Sequence, residues 1–375
     1  MIRDYTDAEA RAALPLKWGH VPDGTIPAWV AEMDYAPAPA ISAAVQAGVA
    51  RWQIGYPPFP DHPVVTALDG AFRGFAERQW GWAVPEDSTA VVADVVTGLR
   101  LVLDTLCPPG PVVVPLPCYP PFRTVVELAG REAAYVELDP DAPEATLDLG
   151  RVEEAFAAGA RTFLLCNPHN PWGRVFTRTE LEALRDLAHR YDVTVVADEI
   201  HAPLVLPGAE FVPYLAVDPS AVLVTSHSKA FGTPGLKCAQ VVSDRVEAVR
   251  ALPIELMHGH TTLGVLAGTA AWRDCDLWLH TLRNRLDVLR EDLADLLATH
   301  LPEASMRPLE ATYLAWLDLR AYGVDDPSAA GTQHGVLVAP GHDYHPGLVG
   351  HVRLNLATSA TRLERVVQRL AAALR

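Results

Sequence analysis

One lysine stands in a setting that a solvated surface lysine does not need. Lys229 lies in the stretch TSHSKAFGTPGLK, residues 225–237, with Ser226 before it, a Gly/Pro turn after it and Lys237 eight positions further on (237 − 229 = 8). A lysine that attacks an aldehyde needs a site that lowers its pKa and supplies other charges. The stretch therefore predicts a reactive lysine with a hydroxyl and a second cation close by.

Polar residues also follow three other strand-like runs. Thr97 and Gly98 follow TAVVADVV, Asn170 lies in the NPHNPWG that follows RTFLLC, and Asp198 and His201 come at the end of VTVVADE and just beyond it. Taken singly, such residues are ordinary helix caps, turn residues or surface charges. Ligands bind beyond the carboxyl ends of strands in parallel sheets, so together these positions predict one site.

Pyridoxal phosphate is a ligand whose groups match these residue types. Its aldehyde needs a lysine, and its phosphate needs hydroxyls, helix N-terminal amides and a cation. Its ring nitrogen needs a carboxylate, and its phenolic oxygen needs neutral donors. The sequence contains a residue of each type at a predicted strand end.

The predicted strands and helices that hold these residues indicate an α/β domain followed by a smaller domain. Short apolar runs bounded by turn residues predict buried parallel strands, and Thr177 with Glu180 has the spacing of a capping box that opens a helix. A long charged helix after about residue 280, two strand candidates and a final amphipathic helix predict a small α+β domain. We expect a large domain at 40–282 and a small one built from 1–39 and 283–375.

Composition excludes several classes of function. Among the 375 residues, the formal net charge of −16 argues against a nucleic-acid partner. Five scattered cysteines with no C-x-x-C pair predict neither disulfides nor a zinc ribbon. His-x-His and His-x-x-His pairs lack a third ligand, so no metal is expected. No apolar run is long enough to span a membrane and the N-terminus lacks a signal-peptide pattern, so we expect a cytoplasmic protein.

Three spacings carry a resemblance to a known superfamily. They are the S-x-x-K run that ends at Lys229, the NP-x-NP-x-G run at 167–173, and Asp198 at 31 residues before the lysine (229 − 198 = 31). In order and spacing the chain resembles the fold-type I pyridoxal-phosphate enzymes of the class I/II aminotransferase superfamily. The resemblance covers nearly the whole chain and implies a mostly parallel central sheet plus a small α+β domain.

Finer motifs are similar to one branch, the PatB-type cystathionine β-lyases and cysteine-S-conjugate β-lyases. These motifs are WVAEMDYAPAP, GYPPF, PLPCYPPF, LCNPHNPWGRVF, ADEIHAPLV, TPGLKCAQ, EATYLAWLD and GHVRLNLATS. His227 and Gly232 depart from the branch, which commonly has a small residue or proline and an asparagine there. These departures leave the substrate open.

The resemblance implies a role for each site residue. Lys229 would form a Schiff base with the cofactor and later remove the Cα proton, and Arg353 would grip the substrate carboxylate. The other implied roles are Asp198 at the ring nitrogen, Asn170 and His201 near the phenolic oxygen, Tyr119 stacked on the ring, and Thr97, Gly98, Ser226 and Lys237 at the phosphate with Tyr56 from a second subunit. Asn170 would also lie near the substrate.

Carbon–sulfur β-elimination is the primary functional hypothesis. A cysteine thioether such as cystathionine would give a thiol, pyruvate and ammonia in a homodimer with shared active sites. A class I/II aminotransferase shares the early steps and stays open, as does a secondary-metabolite enzyme that acts on a bulky cysteine conjugate by elimination, decarboxylation or oxidative deamination. A regulatory protein that binds pyridoxal phosphate is a further alternative, which the complete residue set disfavours.

Overall fold

The computed structural model describes residues 2–138 and 146–375. Their strands are β1 (Ile26–Ala28), β2 (Thr89–Val92), β3 (Val112–Leu116), β4 (Ala133–Glu137), β5 (Thr162–Cys166), β6 (Thr194–Asp198), β7 (Val222–Thr225), β8 (Ala239–Val242), β9 (Ser305–Met306), β10 (Leu314–Asp318), β11 (Val336–Pro340) and β12 (His351–Asn355). Their α-helices are α1 (Asp7–Ala13), α2 (Pro39–Ala50), α3 (Pro63–Trp80), α4 (Val95–Thr105), α5 (Pro121–Leu128), α6 (Leu149–Ala157), α7 (Arg178–Arg190), α8 (Tyr214–Val217), α9 (Ser228–Phe231), α10 (Glu247–Arg250), α11 (Ile254–Met257), α12 (Thr262–Asp274), α13 (Asp276–His300), α14 (Pro327–Gln333) and α15 (Ala360–Ala373).

Among the described residues, the larger sheet has seven strands in the order β2-β8-β7-β6-β5-β3-β4. Of the strands described in this sheet, β8 alone runs antiparallel to its neighbours, so the expected mostly parallel α/β sheet is confirmed. Every residue of β3, β5 and β7 is buried. Strands covered on both faces need apolar side chains at every position, which explains the uninterrupted apolar runs in the sequence.

Strand register aligns the residues that follow β5, β6 and β7. Cys166 pairs with Asp198, and Asp198 pairs with Val224. Because these strands are parallel, their carboxyl ends lie side by side at one edge of the sheet. The segments that carry Asn170, His201 and Lys229 therefore leave the sheet at the same edge.

Two local predictions needed correction. The run TAVVADVV was expected to be a strand that ends at Thr97, but β2 ends at Val92 and α4 begins at Val95. The helix begins early because Asp94 caps it: its Oδ1 accepts a hydrogen bond from the Thr97 amide at 2.9 Å. Strand β4 was not predicted, since it is a partly exposed edge strand with one fully buried residue.

The second sheet joins the two ends of the chain. Among the described residues its order is β1-β11-β12-β10-β9, and β1 pairs in parallel with β11. Lys17 Nζ lies 2.8 Å from Asp34 Oδ1, and Arg362 Nη1 lies 3.3 Å from Asp34 Oδ2. These buried ion pairs connect the N-terminal segment to α15. The division into domains at 40–282 and at 1–39 with 283–375 stays a prediction.

The helices follow the sequence pattern closely. Thr177 caps α7, and reciprocal bonds between Thr177 and Glu180 complete the predicted capping box. The charged helix after the large sheet is α13, with a row of leucines buried along one face. No helix of the described residues is both long and apolar enough to cross a bilayer. Within the same residues no cluster of three or more His, Cys, Asp or Glu side chains has the arrangement of a metal site.

Candidate active site

A cavity of about 460 Å³ opens at the carboxyl edge of the large sheet. Arg353 reaches it from β12 of the second sheet, Thr97 from α4 and Lys229 from α9, and the other predicted residues come from segments next to the strands. The cavity brings together nine of the predicted site residues: Thr97, Tyr119, Asn170, Asp198, His201, Ser226, Lys229, Lys237 and Arg353. Gly98 and Tyr56 are not among the residues that line it.

Lys229 is held on the short helix α9, which Gly232 ends in the left-handed conformation with φ of 66°. Its Nζ donates to the carbonyl oxygen of Ala31 at 3.1 Å. Burial lowers the pKa of Lys229 to about 8, with the charge of Arg353 acting in the same direction. An amine with this pKa is substantially neutral near pH 8 and is therefore available as a nucleophile or base.

Asp198 and His201 lie at the end of β6 and in the turn after it. Asp198 Oδ1 accepts from the Ile200 amide at 3.0 Å, while burial raises the pKa of Asp198 to about 7. Burial lowers the pKa of His201 to about 3, helped by the charges of Lys229 and Arg353. The imidazole is therefore neutral at pH 7, and its buried Nδ1 has no hydrogen-bond partner among the described residues.

Asn170 and Arg353 form a buried hydrogen-bonded pair that lines the cavity. Arg353 donates from Nη1 to Asn170 Oδ1 at 3.0 Å and from Nη2 to the carbonyl oxygen of Trp29 at 2.8 Å. The guanidinium stacks on the Tyr344 ring at 5.0 Å. Its Nε has no partner among the described residues, and none of their carboxylates forms an ion pair with it. A buried guanidinium without a counter-ion is suited to bind an incoming carboxylate.

The predicted phosphate residues Thr97 and Gly98 lie in the first turns of α4. The amides of Thr97 and Gly98 already donate to Asp94, to its Oδ1 at 2.9 Å and its carbonyl oxygen at 2.8 Å. Val95 and Val96 also line the cavity. Their amides are the first two of α4, so they have no carbonyl acceptor within the helix. The phosphate role of Thr97 and Gly98 stays a prediction, and their amides already have acceptors at Asp94.

Gly98 allows close packing between α4 and the large sheet. A Cβ there would lie 3.0 Å from Val224 Cγ1 and 3.0 Å from Val92 Cγ2. The missing side chain therefore lets α4 approach β2 and β7 closely. This close packing explains why a glycine follows Thr97 in α4.

The remaining phosphate candidates have partners of their own in the protein. Ser226 donates through its hydroxyl to the Cys238 carbonyl oxygen at 2.7 Å and accepts from the Ser228 amide at 3.1 Å. Lys237 Nζ pairs with Asp94 Oδ2 at 2.9 Å. Ser226 would have to rotate its hydroxyl, and Lys237 would have to share its ammonium, in order to bind a phosphate.

The two predicted tyrosines lie in contrasting places. Tyr119 borders the cavity, and burial raises its pKa, with the charge of Asp198 acting in the same direction, so its hydroxyl stays protonated. Tyr56 is 95% exposed on the segment between α2 and α3. Its role across a subunit boundary stays a prediction.

His227 and Gly232 do not shape the cavity. His227 is buried, and its Nδ1 lies 2.8 Å from Thr233 Oγ1. Its ring packs edge-on against Trp272 and lies over Gly268, where a Cβ would come within 2.8 Å of His227 Cδ2. Gly232 supplies the positive φ that ends α9. Both departures from the branch pattern therefore serve packing around the lysine helix.

Two residues that line the cavity, Asp94 and Ala31, were not predicted from the sequence. Asp94 could have been recognised as a helix cap, since it precedes an apolar helical run and Thr97 follows three positions later. The backbone carbonyl of Ala31 accepts from both Lys229 and the buried Tyr313 hydroxyl, at 3.1 and 3.0 Å. A backbone acceptor has no sequence signal, and only the fold brings residue 31 to residue 229.

The cavity fits pyridoxal phosphate by its chemistry. It is lined by three cations, Lys229, Lys237 and Arg353, and by two carboxylates, Asp94 and Asp198, which gives a net charge of +1 (3 − 2 = 1). An anionic ligand is therefore favoured. The neutral imidazole of His201 can donate to an oxygen from one ring nitrogen, and Asp198 provides a carboxylate for a ring nitrogen.

Comparisons with known proteins agree with this arrangement. The family model "Aminotransferase class I and II" matches residues 30–370. The chain is 34% identical to the cystathionine β-lyase of Corynebacterium glutamicum over 96% of each chain. It is 32% identical to the cystathionine β-lyase PatB of Bacillus subtilis, over 93% of this chain and 92% of that one.

One solved structure is similar over the whole length of the chain. A candidate PLP-dependent β-cystathionase from Corynebacterium diphtheriae superposes with a TM-score of 0.93 and 33% identity, covering 100% of this chain and 99% of the other. Family model, relatives and structure thus agree over nearly the whole length. The chain belongs to the class I and II aminotransferase family and has its fold-type I architecture.

Proposed function

We propose that this protein is a pyridoxal-phosphate-dependent carbon–sulfur β-lyase. Its substrate would be cystathionine or another cysteine thioether, and its products a thiol, pyruvate and ammonia. One observation carries the proposal: the amine of Lys229, the guanidinium of Arg353, which has no counter-ion among the described residues, and the carboxyl group of Asp198 line the same cavity. That arrangement supports a reaction at the α-carbon of an amino acid, and the names of the two cystathionine β-lyases support elimination from it.

The protein's residues would hold the cofactor as follows. Lys229 would bind its aldehyde carbon, and Asp198 its ring nitrogen. Asn170 has its Oδ1 occupied by Arg353, so its amide nitrogen remains available to donate to the phenolic oxygen, next to His201. The phosphate would take the amides of Val95 and Val96 with Lys237. When bound, pyridoxal phosphate supplies an electron sink that stabilises negative charge at the substrate α-carbon.

The chain itself positions the substrate and moves the proton. Arg353 binds the substrate carboxylate through a bidentate pair, which fixes the orientation of the α-carbon. Lys229 Nζ then removes the Cα proton, because burial keeps its pKa near that of a working general base. Loss of the proton allows the thiolate at the β-carbon to leave, and hydrolysis of the remaining fragment gives pyruvate and ammonia.

The proposal includes a homodimer in the cytoplasm. Trp52, Ile54, Tyr56 and Phe59 are all more than half exposed on one short segment, which favours burial against a second copy. Such a contact would bring Tyr56 to the phosphate of the neighbouring site. The five cysteines are free and buried, in keeping with a reducing compartment.

The test measures thiol and pyruvate release by the pyridoxal-phosphate-loaded protein, from cystathionine and from an S-alkyl cysteine, with no keto acid added. Release of both products in equal amounts is expected, and Lys229→Ala should abolish it. A control is Arg273→Ala, which removes an exposed cation outside the cavity and should leave the release of both products unchanged. Turnover that requires a keto-acid acceptor and yields no pyruvate would assign the protein as an aminotransferase and reject the lyase.

A further inference from the structure

Asp94 places a carboxylate inside the region where the cofactor phosphate would bind. It caps α4 through Oδ1, and its Oδ2 lies 2.9 Å from Lys237 Nζ. Both side chains line the cavity, and they remain 36% and 50% exposed. The ion pair is therefore within reach of a ligand and is not sealed in the core.

Lys237 is the cation that the phosphate depends on. Three cations line the cavity. Lys229 would react with the cofactor aldehyde, and Arg353 would bind the substrate carboxylate. Lys237 remains for the phosphate. A phosphate dianion and Asp94 would then share one ammonium, and their like charges would repel each other at short range.

We propose that Asp94 holds Lys237 as an internal substitute for the phosphate, and so makes cofactor binding weaker and cofactor release faster. This inference rests on the proposed pyridoxal-phosphate site. In the cofactor-free protein, Asp94 neutralises Lys237 and occupies the Thr97 amide. On binding, the phosphate takes over part of the Lys237 interaction, while Asp94 keeps its place as the helix cap.

The geometry separates the two functions of Asp94. The helix cap uses Oδ1 and needs only an oxygen acceptor, whereas the pair with Lys237 uses Oδ2 and needs the negative charge. Asp94→Asn preserves the cap acceptor and removes the charge. Asp94→Ser also preserves a cap oxygen and serves as a second variant if the first folds poorly.

The experiment measures dissociation constants in cofactor-free protein for pyridoxal phosphate, for pyridoxal and for inorganic phosphate. Asp94→Asn should bind pyridoxal phosphate about tenfold more tightly, which corresponds to about 1.4 kcal/mol, and release it more slowly. Inorganic phosphate should also bind more tightly. Pyridoxal lacks the phosphate, so its affinity should not change.

Asp326→Asn is the matched control. Asp326 caps α14 in the same way, with Oδ1 accepting from the Ala329 amide at 2.9 Å, but it does not line the cavity. It should leave all three constants unchanged.

Three results would overturn the inference. If Asp94→Asn leaves the constant for pyridoxal phosphate unchanged, Asp94 is only a helix cap. Weaker binding in Asp94→Asn would mean that Asp94 positions Lys237 for the phosphate, and an equal gain for pyridoxal would mean that the effect does not act through the phosphate. A wild-type protein that binds no pyridoxal phosphate would instead reject the proposed function.

Discussion

Arg353 and Asn170 are joined by a buried hydrogen bond of 3.0 Å from Nη1 to Oδ1. One residue comes from β12 of the small sheet and the other from the loop after β5 of the large sheet. The bond orients the Asn170 amide so that its nitrogen is free for a ligand oxygen. The proposed substrate role of Arg353 and the proposed cofactor role of Asn170 would therefore be coupled through one hydrogen bond.

Replacement of Arg353 by lysine tests this link. Lys has no planar fork, so it would lose the bidentate pair with the substrate carboxylate and the bond to Asn170. We expect KM for cystathionine to rise about tenfold or more, since a hydrogen bond to a charged group contributes about 1.5–3 kcal/mol. Arg273→Lys, at an exposed arginine of α12, should leave KM unchanged. An unchanged KM in Arg353→Lys would disprove the carboxylate role.

The depressed pKa of Lys229 predicts a pH profile for reaction with an aldehyde. Below about pH 8 the amine is mostly protonated and cannot attack, so the rate with pyridoxal should rise about tenfold per pH unit and level off above pH 8. Removing the Arg353 charge by Arg353→Met should move the plateau to higher pH. Absorbance stopped-flow measures the rate. A rate that still climbs toward pH 10 would show an ordinary lysine.

The buried ion pair of Lys17 and Asp34 predicts a large stability effect. Asp34→Ala would leave Lys17, which is 1% exposed, without its carboxylate, and would also remove the acceptor of the Trp18 indole. We expect the free energy of unfolding to fall by about 3–5 kcal/mol. Denaturant titration measures it. Asp274→Ala, which breaks an exposed pair with Arg273, should cost less than about 1 kcal/mol.

Subunit mixing tests the proposed role of Tyr56. Tyr56→Ala and Lys229→Ala each damage every site of their own homodimer. A mixed dimer would hold one intact site, because Tyr56 and Lys229 of that site come from different chains. Unfolding and refolding an equal mixture should restore about one quarter of wild-type activity. No recovery, or a monomer in light scattering, would place Tyr56 outside the neighbouring site.

Much of the site was predictable because its chemistry is carried by residue types at fixed spacings. The strand-end positions of Asp198 and Lys229 follow from buried apolar runs, and such runs in a parallel sheet bring their carboxyl ends together. The capping box at Thr177 is likewise local. Local patterns failed at α4, where the Asp94 cap started the helix two residues before the Thr-Gly pair.

The sequence alone determined the superfamily, the parallel sheet and the list of residues suited to pyridoxal phosphate, since these depend on side-chain type and short-range periodicity. Only the tertiary structure decided which atoms remain available. Ala31 reaches Lys229 across 198 residues of sequence, Arg353 orients Asn170 across 183, and Lys237 meets Asp94 across 143. Burial and hydrogen-bond partners depend on contacts that are distant in sequence, and no local pattern encodes them.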